Sequence, residues 1–116
     1  MTVHGDMVKA LKKDGNEIKQ DLSARDCDLI HMIMGISGEV GELLDAVKKA
    51  IIYRKRLDLT NVIEELGDIE FYLEGFRQAL RITREETLVG NITKLAVRYP
   101  QLTYTNSAAK ERADKA

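Results

Sequence analysis

Apolar and polar positions follow each other along most of this chain with the spacing of amphipathic α-helices. Two stretches show apolar side chains at steps of three and four, so each forms one stripe on a helix. The first stripe comprises Leu29, Ile33, Ile36, Val40, Leu43 and Val47, and the second comprises Val62, Leu66, Ile69, Leu73, Phe76 and Leu80. Because β-type alternation is scarce and Pro100 is the only proline, the sequence predicts an all-α protein.

Start and stop signals divide this pattern into predicted helices. They run from Val3 to about Lys12, from about Ser23 to about Arg54, from Asp58 or Thr60 to about Leu80, and from Arg84 to about Arg98. The turn residues Asp14-Gly15-Asn16 end the first helix, and Ser23 is a favourable N-cap for the second. Thr83 and Glu86 form a capping-box pattern, and Pro100 stops the last helix.

The length of 116 residues allows one domain, predicted over residues 1–100, and residues 101–116 form a polar tail whose end could be a loose helix. A net charge of -1 argues against a chain-wide nucleic-acid surface. Cys27 is the only cysteine, so an internal disulfide is impossible. No apolar run approaches the roughly 20 residues of a membrane span. We therefore expect a cytoplasmic protein with neither a membrane nor a nucleic acid as its partner.

Two acidic pairs are the strongest chemical signal. Glu39 and Glu42 lie three residues apart on the second helix, as do Glu65 and Asp68 on the third. Each pair shares a helix face, so packing the two helices together would converge four carboxylates. Such a cluster needs a cation, and its hard oxygen ligands suit Mg²⁺ or Mn²⁺. Without one, repulsion should raise the pKa of at least one carboxyl. The alternative is a solvated acidic edge on a non-catalytic helical module.

Helical angles distinguish between neighbouring acidic residues. Glu65 lies roughly 60° from the centre of its apolar stripe, whereas Glu64 points towards the other side of the helix. We therefore expect Glu65 to lean into a crevice and Glu64 to be solvated. The second helix also carries three glycines in a short span, Gly35, Gly38 and Gly41, which indicate close helix packing, a ligand wall, or both. Gly35 and Gly38 lie along its acidic edge.

At these residues the chain resembles the MazG-like all-α nucleoside triphosphate pyrophosphohydrolases. The resemblance rests on Gly38-Glu39-Val40-Gly41-Glu42-Leu43 and Glu64-Glu65-Leu66-Gly67-Asp68, and it extends over about residues 26–100. It implies a four-helix-bundle core completed by oligomerisation, as a homodimer or homotetramer. It also implies Mg²⁺-dependent hydrolysis of a nucleoside triphosphate, with a deoxynucleoside triphosphate as the first candidate, to the monophosphate and pyrophosphate.

The resemblance also assigns roles to individual residues. It implies that Glu39, Glu42, Glu65 and Asp68 bind the metal. A carboxylate that is not fully used as a ligand could orient or deprotonate the attacking water, and Glu39 and Glu42 are both candidates. The resemblance further implies that Asn91 and Lys94 contact the phosphates or sugar, with Arg98 and Tyr99 as weaker candidates. His31 lies on the acidic edge and is a candidate contact to the base or to a water. Gln101-Leu102-Thr103-Tyr104 departs from the family pattern, which leaves contacts from the tail open.

The sequence leaves a rival fold, a rival substrate and the role of one basic segment to be considered. A ferritin-like di-iron bundle is disfavoured because neither histidine, His4 or His31, follows a glutamate by three residues. Phosphoribosyl-ATP pyrophosphohydrolase would use the same chemistry on a different substrate. A basic run after the second helix usually complements the helix dipole, but phosphate steering is an alternative. This run comprises Lys48, Lys49, Arg54, Lys55 and Arg56.

Overall fold

The computed structural model describes residues 2–115, which contain helices and turns but no β-strand. The prediction of an all-α protein is therefore confirmed for this part of the chain. The helices are α1 (Val3–Leu11), α2 (Gly15–Asp21), α3 (Ala24–Ile52), α4 (Leu59–Leu80), α5 (Arg84–Arg98) and α6 (Asn106–Glu111), followed by a 3₁₀ turn at Ala113–Lys115.

The longest helices begin at the caps that the sequence predicts. At the start of α3, the Ser23 hydroxyl accepts from the Asp26 N–H while the Asp26 carboxylate accepts from the Ser23 N–H. The Asp58 carboxylate accepts from the Asn61 N–H at the start of α4, so Asp58 rather than Thr60 is the cap. At α5, the Thr83 hydroxyl accepts from the Glu86 N–H. Each cap satisfies an amide that has no partner inside its helix.

The segment after α1 corrects one prediction. Asp14-Gly15-Asn16 was expected to form only a turn that ends the first helix. The chain does turn there, but the Asp14 carboxylate accepts from the Asn16 N–H and caps the short helix α2. Residues that favour turns also favour N-caps, because the same short polar side chain can bond a nearby amide. The turn signal was therefore correct, and its second role as a helix start was missed.

Helices α3 and α4 pack against each other as an antiparallel pair. Tyr72 of α4 lies against Gly35 of α3, and Met32 of α3 lies against Gly75 of α4. A methyl group at either glycine would overlap with the opposing side chain. The connection is short because Arg54 adopts a left-handed conformation, with φ of 52°, and the Lys55 N–H donates to the Ala50 carbonyl. This pair of helices carries both predicted acidic motifs.

Helix α5 packs mainly against the C-terminal segment rather than against the α3–α4 pair. Arg98 of α5 donates from Nε and Nη2 to Oδ1 of Asp114, at 3.0 and 2.9 Å. Both side chains are largely shielded from solvent. The rings of Tyr99 and Tyr104 also lie close, with centroids 5.7 Å apart. The tail predicted over residues 101–116 is thus partly helical and folds back on α5.

Within residues 2–115 the chain buries no apolar side chain, and only Glu65 and Arg77 are buried. Its radius of gyration is 20.0 Å, whereas a compact chain of this length would have about 13 Å. Members of both predicted apolar stripes stay exposed, including Ile33, Val40 and Leu66. The single chain therefore does not form a complete helical bundle core. None of the helices described in residues 2–115 is long and apolar enough to cross a membrane.

Candidate metal and nucleotide site

Three of the four predicted carboxylates meet where α3 and α4 face each other. Glu39 and Glu42 come from consecutive turns of α3, and Glu65 comes from the opposing face of α4. One oxygen from each of the three residues lies within 4.8 Å of the others. The three-residue spacing aligns the first two side chains, and the antiparallel packing brings the third against them. The remainder of the site is built around this carboxylate cluster of Glu39, Glu42 and Glu65.

The environment of Glu65 differs sharply from that of its neighbour Glu64. Glu65 is only 9% exposed, whereas Glu64 is exposed. The angular prediction is therefore confirmed, since one residue of rotation separates the helix face that meets α3 from the face that meets solvent. An almost buried carboxylate is costly unless it has a partner, so the burial of Glu65 requires an explanation beyond packing.

The cluster has more negative charge than its surroundings can compensate. The pKa of Glu65 is raised from its ordinary value of 4.5 to about 7. The largest cause is a hydrogen bond with Glu39 that forms only when a proton is present, followed by desolvation and then by Glu42. This confirms the expectation that one carboxyl of the cluster titrates above its usual range. Near neutral pH the cluster therefore attracts either a proton or a cation.

Two oxygens of the cluster lack any donor when the carboxylates are ionised. Oε2 of Glu39 and Oε2 of Glu65 are both buried and have no hydrogen-bond partner. Buried polar atoms are normally paired, so two such acceptors facing one cluster indicate a missing positive group. Hard carboxylate oxygens are the ligands that Mg²⁺ and Mn²⁺ prefer. The residues present therefore fit a divalent cation.

An open cleft of about 400 Å³ borders the cluster. Glu42 and Glu65 line it, together with Gly38 and Gly41 on α3. In contrast to Gly35, a methyl group at Gly38 or Gly41 would have no neighbouring atom within 4 Å. The helix-packing explanation is therefore confirmed at Gly35. Gly38 and Gly41 leave a wall of the cleft free of side chains, and their role as a ligand wall stays a prediction.

The model of the MazG nucleotide pyrophosphohydrolase domain matches residues 29–103, more than half of the chain. The chain belongs to the MazG family. The matched segment contains α4, α5 and nearly all of α3, so it includes the carboxylate cluster and its cleft. Comparisons with curated proteins and with solved structures gave no match.

Membership of the MazG family indicates a hydrolase with nucleotide pyrophosphohydrolase activity. The resemblance to the MazG-like family that the double acidic motif indicated is thereby confirmed. The predicted extent of the resemblance, about residues 26–100, agrees closely with the matched segment. Residues 104–116, which include α6 and Asp114, lie outside the match.

Asp68, the fourth predicted ligand of the MazG site, does not join the cluster of Glu39, Glu42 and Glu65 in this structure. It follows Glu65 by one turn of α4 and is exposed. Its assignment as a metal ligand stays a prediction. His31 is exposed as well, and its ring meets the edge of Tyr72 at a centroid distance of 6.3 Å. Since Tyr72 packs against Gly35, one turn from Glu39, His31 lies near the cluster without joining it.

The MazG residues predicted on α5 are not brought to the carboxylate cluster by packing within the chain, because α5 packs mainly against the C-terminal segment. Asn91 is exposed, and Lys94 lines a separate hollow beside Asp114. Arg98 forms the ion pair with Asp114, and Tyr99 lies beside Tyr104. One copy of the chain therefore does not bring these residues to the carboxylate cluster in this structure, and their contacts with a nucleotide stay a prediction.

The cleft of the MazG domain also contains residues that the sequence did not assign to the site. Asp45, Lys49 and Asn61 all line it. The sequence considered Lys49 only as part of the basic run, with phosphate steering as an alternative, and it assigned no role to Asn61. Asp45 was missed altogether. The signal that could have found it is its spacing, since it follows Glu42 by three residues and so shares its face of α3.

Proposed function

We propose that this protein hydrolyses a nucleoside triphosphate to the nucleoside monophosphate and pyrophosphate, with Mg²⁺ or Mn²⁺ as the cofactor. A deoxynucleoside triphosphate is the first candidate for the substrate. The observation that carries the proposal is the convergence of Glu39, Glu42 and Glu65 beside an open cleft, inside the segment that matches the MazG domain. A triphosphate is strongly anionic, so an acidic cluster suits it only through an intervening cation.

Glu39, Glu42 and Glu65 would hold the cation, and we keep Asp68 as a fourth ligand. A divalent cation supplies positive charge that offsets the charge of the triphosphate and of the departing pyrophosphate. Glu65 contributes through its depth: little exposed to water, it has few competing partners. The unpaired oxygens of Glu39 and Glu65 support this assignment, because a cation would satisfy both.

The carboxylates of α3 are also the candidates for activating water. Glu42 is exposed and lines the cleft, while Glu39 is fixed more deeply against Glu65. We propose that Glu42 orients the attacking water and accepts one of its protons, with Glu39 holding the geometry. The water oxygen bonds to the α-phosphorus, the bond from that phosphorus to the bridging oxygen breaks, and pyrophosphate leaves.

We further propose that the working form is a homodimer or homotetramer in which a four-helix bundle forms between copies. The support is the exposed apolar surface of the α3–α4 pair, which includes Ile33, Val40 and Phe71. In such an assembly Asn91 and Lys94 of one copy could reach the cluster of another and bind the nucleotide, with Arg98, Tyr99 and His31 as further candidates. Light scattering at micromolar concentration should give at least the mass of a dimer, and a strictly monomeric mass would contradict this.

A panel of ribo- and deoxynucleoside triphosphates tests the reaction most simply. With Mg²⁺ present, at least one substrate should yield the monophosphate and pyrophosphate, and chelation of the metal should stop turnover. Appearance of the diphosphate and orthophosphate would reject the proposed reaction, because it would place the attack at the terminal phosphorus. Absence of both turnover and Mg²⁺-dependent stabilisation would favour the non-catalytic helical module instead.

A further inference from the structure

One positively charged side chain, Lys49, lines the cleft beside the carboxylate cluster, and the proposed metal site does not explain its function. Among the described residues that line the cleft, Lys49 is the only cation, and it faces a lining that includes Glu42, Asp45 and Glu65. The Lys49 Nζ lies 2.9 Å from Oδ2 of Asp45, one turn earlier on α3. A lysine is thus held on the wall of the cleft that is expected to receive the substrate.

The position of Lys49 relative to the cluster is set by the helix. It follows Glu42 by seven residues, which is two turns and about 10 Å along the same face of α3. On the opposite wall Asn61 precedes Glu65 by four residues, about one turn of α4. Because the helices are antiparallel, Lys49 and Asn61 both lie on the side of the carboxylate cluster that leads towards the α3–α4 connection, and both line the cleft.

Folding alone does not account well for the Asp45–Lys49 pair. The two side chains are 53% and 60% exposed, and exposed ion pairs contribute little to stability. The pair does restrict where the lysine ammonium lies, along a wall that Gly38, Gly41 and Ala46 keep free of long side chains. The space and the charge together suit an anion that enters beside the cluster.

We propose that Lys49 binds the phosphate groups that leave as pyrophosphate, and that Asp45 positions its ammonium group in the cleft. Asn61, an amide with two donor hydrogens, completes this phosphate end from α4. The inference rests on the proposed function for the identity of the substrate, and it adds to the chain a phosphate contact that comes from the same copy as the metal ligands. Lys94 of α5 was the phosphate contact implied by the resemblance, and it lies outside this cleft.

The neighbouring residue Lys48 provides a matched control. It is a lysine on the same turn of α3 and is exposed, but it does not line the cleft because it is rotated by about 100°. Lys48→Met and Lys49→Met remove the same charge from the same helix turn. Any difference between them therefore reports the direction of the side chain rather than the net charge of the protein.

The test measures binding of inorganic pyrophosphate in the presence of Mg²⁺ by calorimetry, alongside steady-state kinetics on the best nucleotide. Lys49→Met should weaken pyrophosphate binding by about tenfold or more, as expected for a hydrogen bond to a charged group. Lys49→Arg should retain most of the affinity, and Lys48→Met should stay within about twofold of the wild type, since it loses only a surface charge. Asp45→Asn should raise KM more than it lowers kcat, because it loosens a positioning contact.

The outcomes separate this inference from the proposed function. Equal pyrophosphate affinity in folded Lys48→Met and Lys49→Met, or no pyrophosphate binding by the wild type, would overturn the role of Lys49 even if nucleotide turnover were normal. Conversely, a wild type that turns over no nucleotide would defeat the proposed function. Selective loss of pyrophosphate binding in Lys49→Met would still support the phosphate end of the cleft.

Discussion

The two ends of the α3–α4 pair use glycine in different ways. Around Gly35 and Gly75, the side chains of Tyr72 and Met32 occupy the space that the missing methyl groups leave. Around Gly38 and Gly41 that space stays open, and the carboxylate cluster lies beside it. One end of the helix pair is thus filled by contact between the helices, and we call it the contact end. The other leaves a cleft open beside the carboxylates, and we call it the ligand end because the proposed function places the cation there. Composition alone cannot distinguish the two, because the difference lies in what the opposite helix presents.

The two ends of the helix pair also differ in whether their buried charged groups have a partner. At the ligand end, Glu39 and Glu65 have buried oxygens without partners. At the contact end, the buried Arg77 donates from Nε to Glu74 at 3.3 Å, so a buried charge there has a partner within its own helix. Satisfied charge at one end and unsatisfied charge at the other is the pattern expected if only the ligand end awaits a cation.

The largest effect should come from removing one charge at the ligand end. Glu65→Gln should lower turnover by about a hundredfold or more, which is about 2.7 kcal/mol in the activation barrier. Glu64→Gln should keep most of the activity and change stability by no more than about 0.5 kcal/mol, because that side chain is solvated. Steady-state rates on both folded variants provide the measurement. Equal losses in the two would remove the basis for distinguishing them.

Divalent metal should stabilise the ligand end in a pH-dependent way. At a hundredfold excess over its dissociation constant, Mg²⁺ should stabilise the fold by about 2.7 kcal/mol near neutral pH. At pH 5 the shift in Tm should be smaller, because Glu65, with a pKa of about 7, then carries a proton that competes for the same oxygens. Ionic strength must be matched with a monovalent salt. A shift that is independent of pH would place the cation elsewhere.

Without metal, the raised pKa of Glu65 should make the stability of the folded protein depend on pH. The pKa of Glu65 is higher in the folded chain than its ordinary value of 4.5, so the folded state holds the proton more tightly. This contribution to stability is fully present below about pH 4.5 and is lost as the pH rises through about 7. Tm in the absence of metal should therefore fall between pH 5.5 and 8 more in the wild type than in Glu65→Gln. Identical profiles for the two proteins would contradict the raised pKa.

Substitution of single glycines gives smaller effects of opposite sign. Gly35→Ala forces the Tyr72 ring to move, and overpacking of this kind costs about 1–3 kcal/mol. Gly38→Ala meets no atom, so the better helix propensity of alanine should stabilise α3 by about 0.5–1 kcal/mol. Denaturant titrations of the two variants check both directions. Destabilisation of similar size in both would mean that Gly38 also serves packing.

Local features of this fold were predictable because their causes are local. The caps at Ser23 and Asp58 depend on partners three residues away, and the burial of Glu65 follows from its angle on α4. The Arg98–Asp114 pair joins residues 16 positions apart in a segment with no helical period to relate them. Spacing rules do not extend across such a connection, so the sequence did not predict this ion pair. The resemblance offered Arg98 as a weaker candidate for contact with the substrate, and that role stays a prediction.

Direct binding of Mn²⁺, followed by electron paramagnetic resonance of the free ion, tests the central claim that Glu39, Glu42 and Glu65 form a cation site. The wild type and Glu64→Gln should deplete the free-ion signal in a saturable way, and Mg²⁺ should restore it by competition. A folded Glu39→Gln, Glu65→Gln double variant should lose this binding, since it removes the two carboxylates whose buried oxygens have no other partner. If the double variant binds Mn²⁺ as tightly as the wild type, the carboxylate cluster is not the metal site.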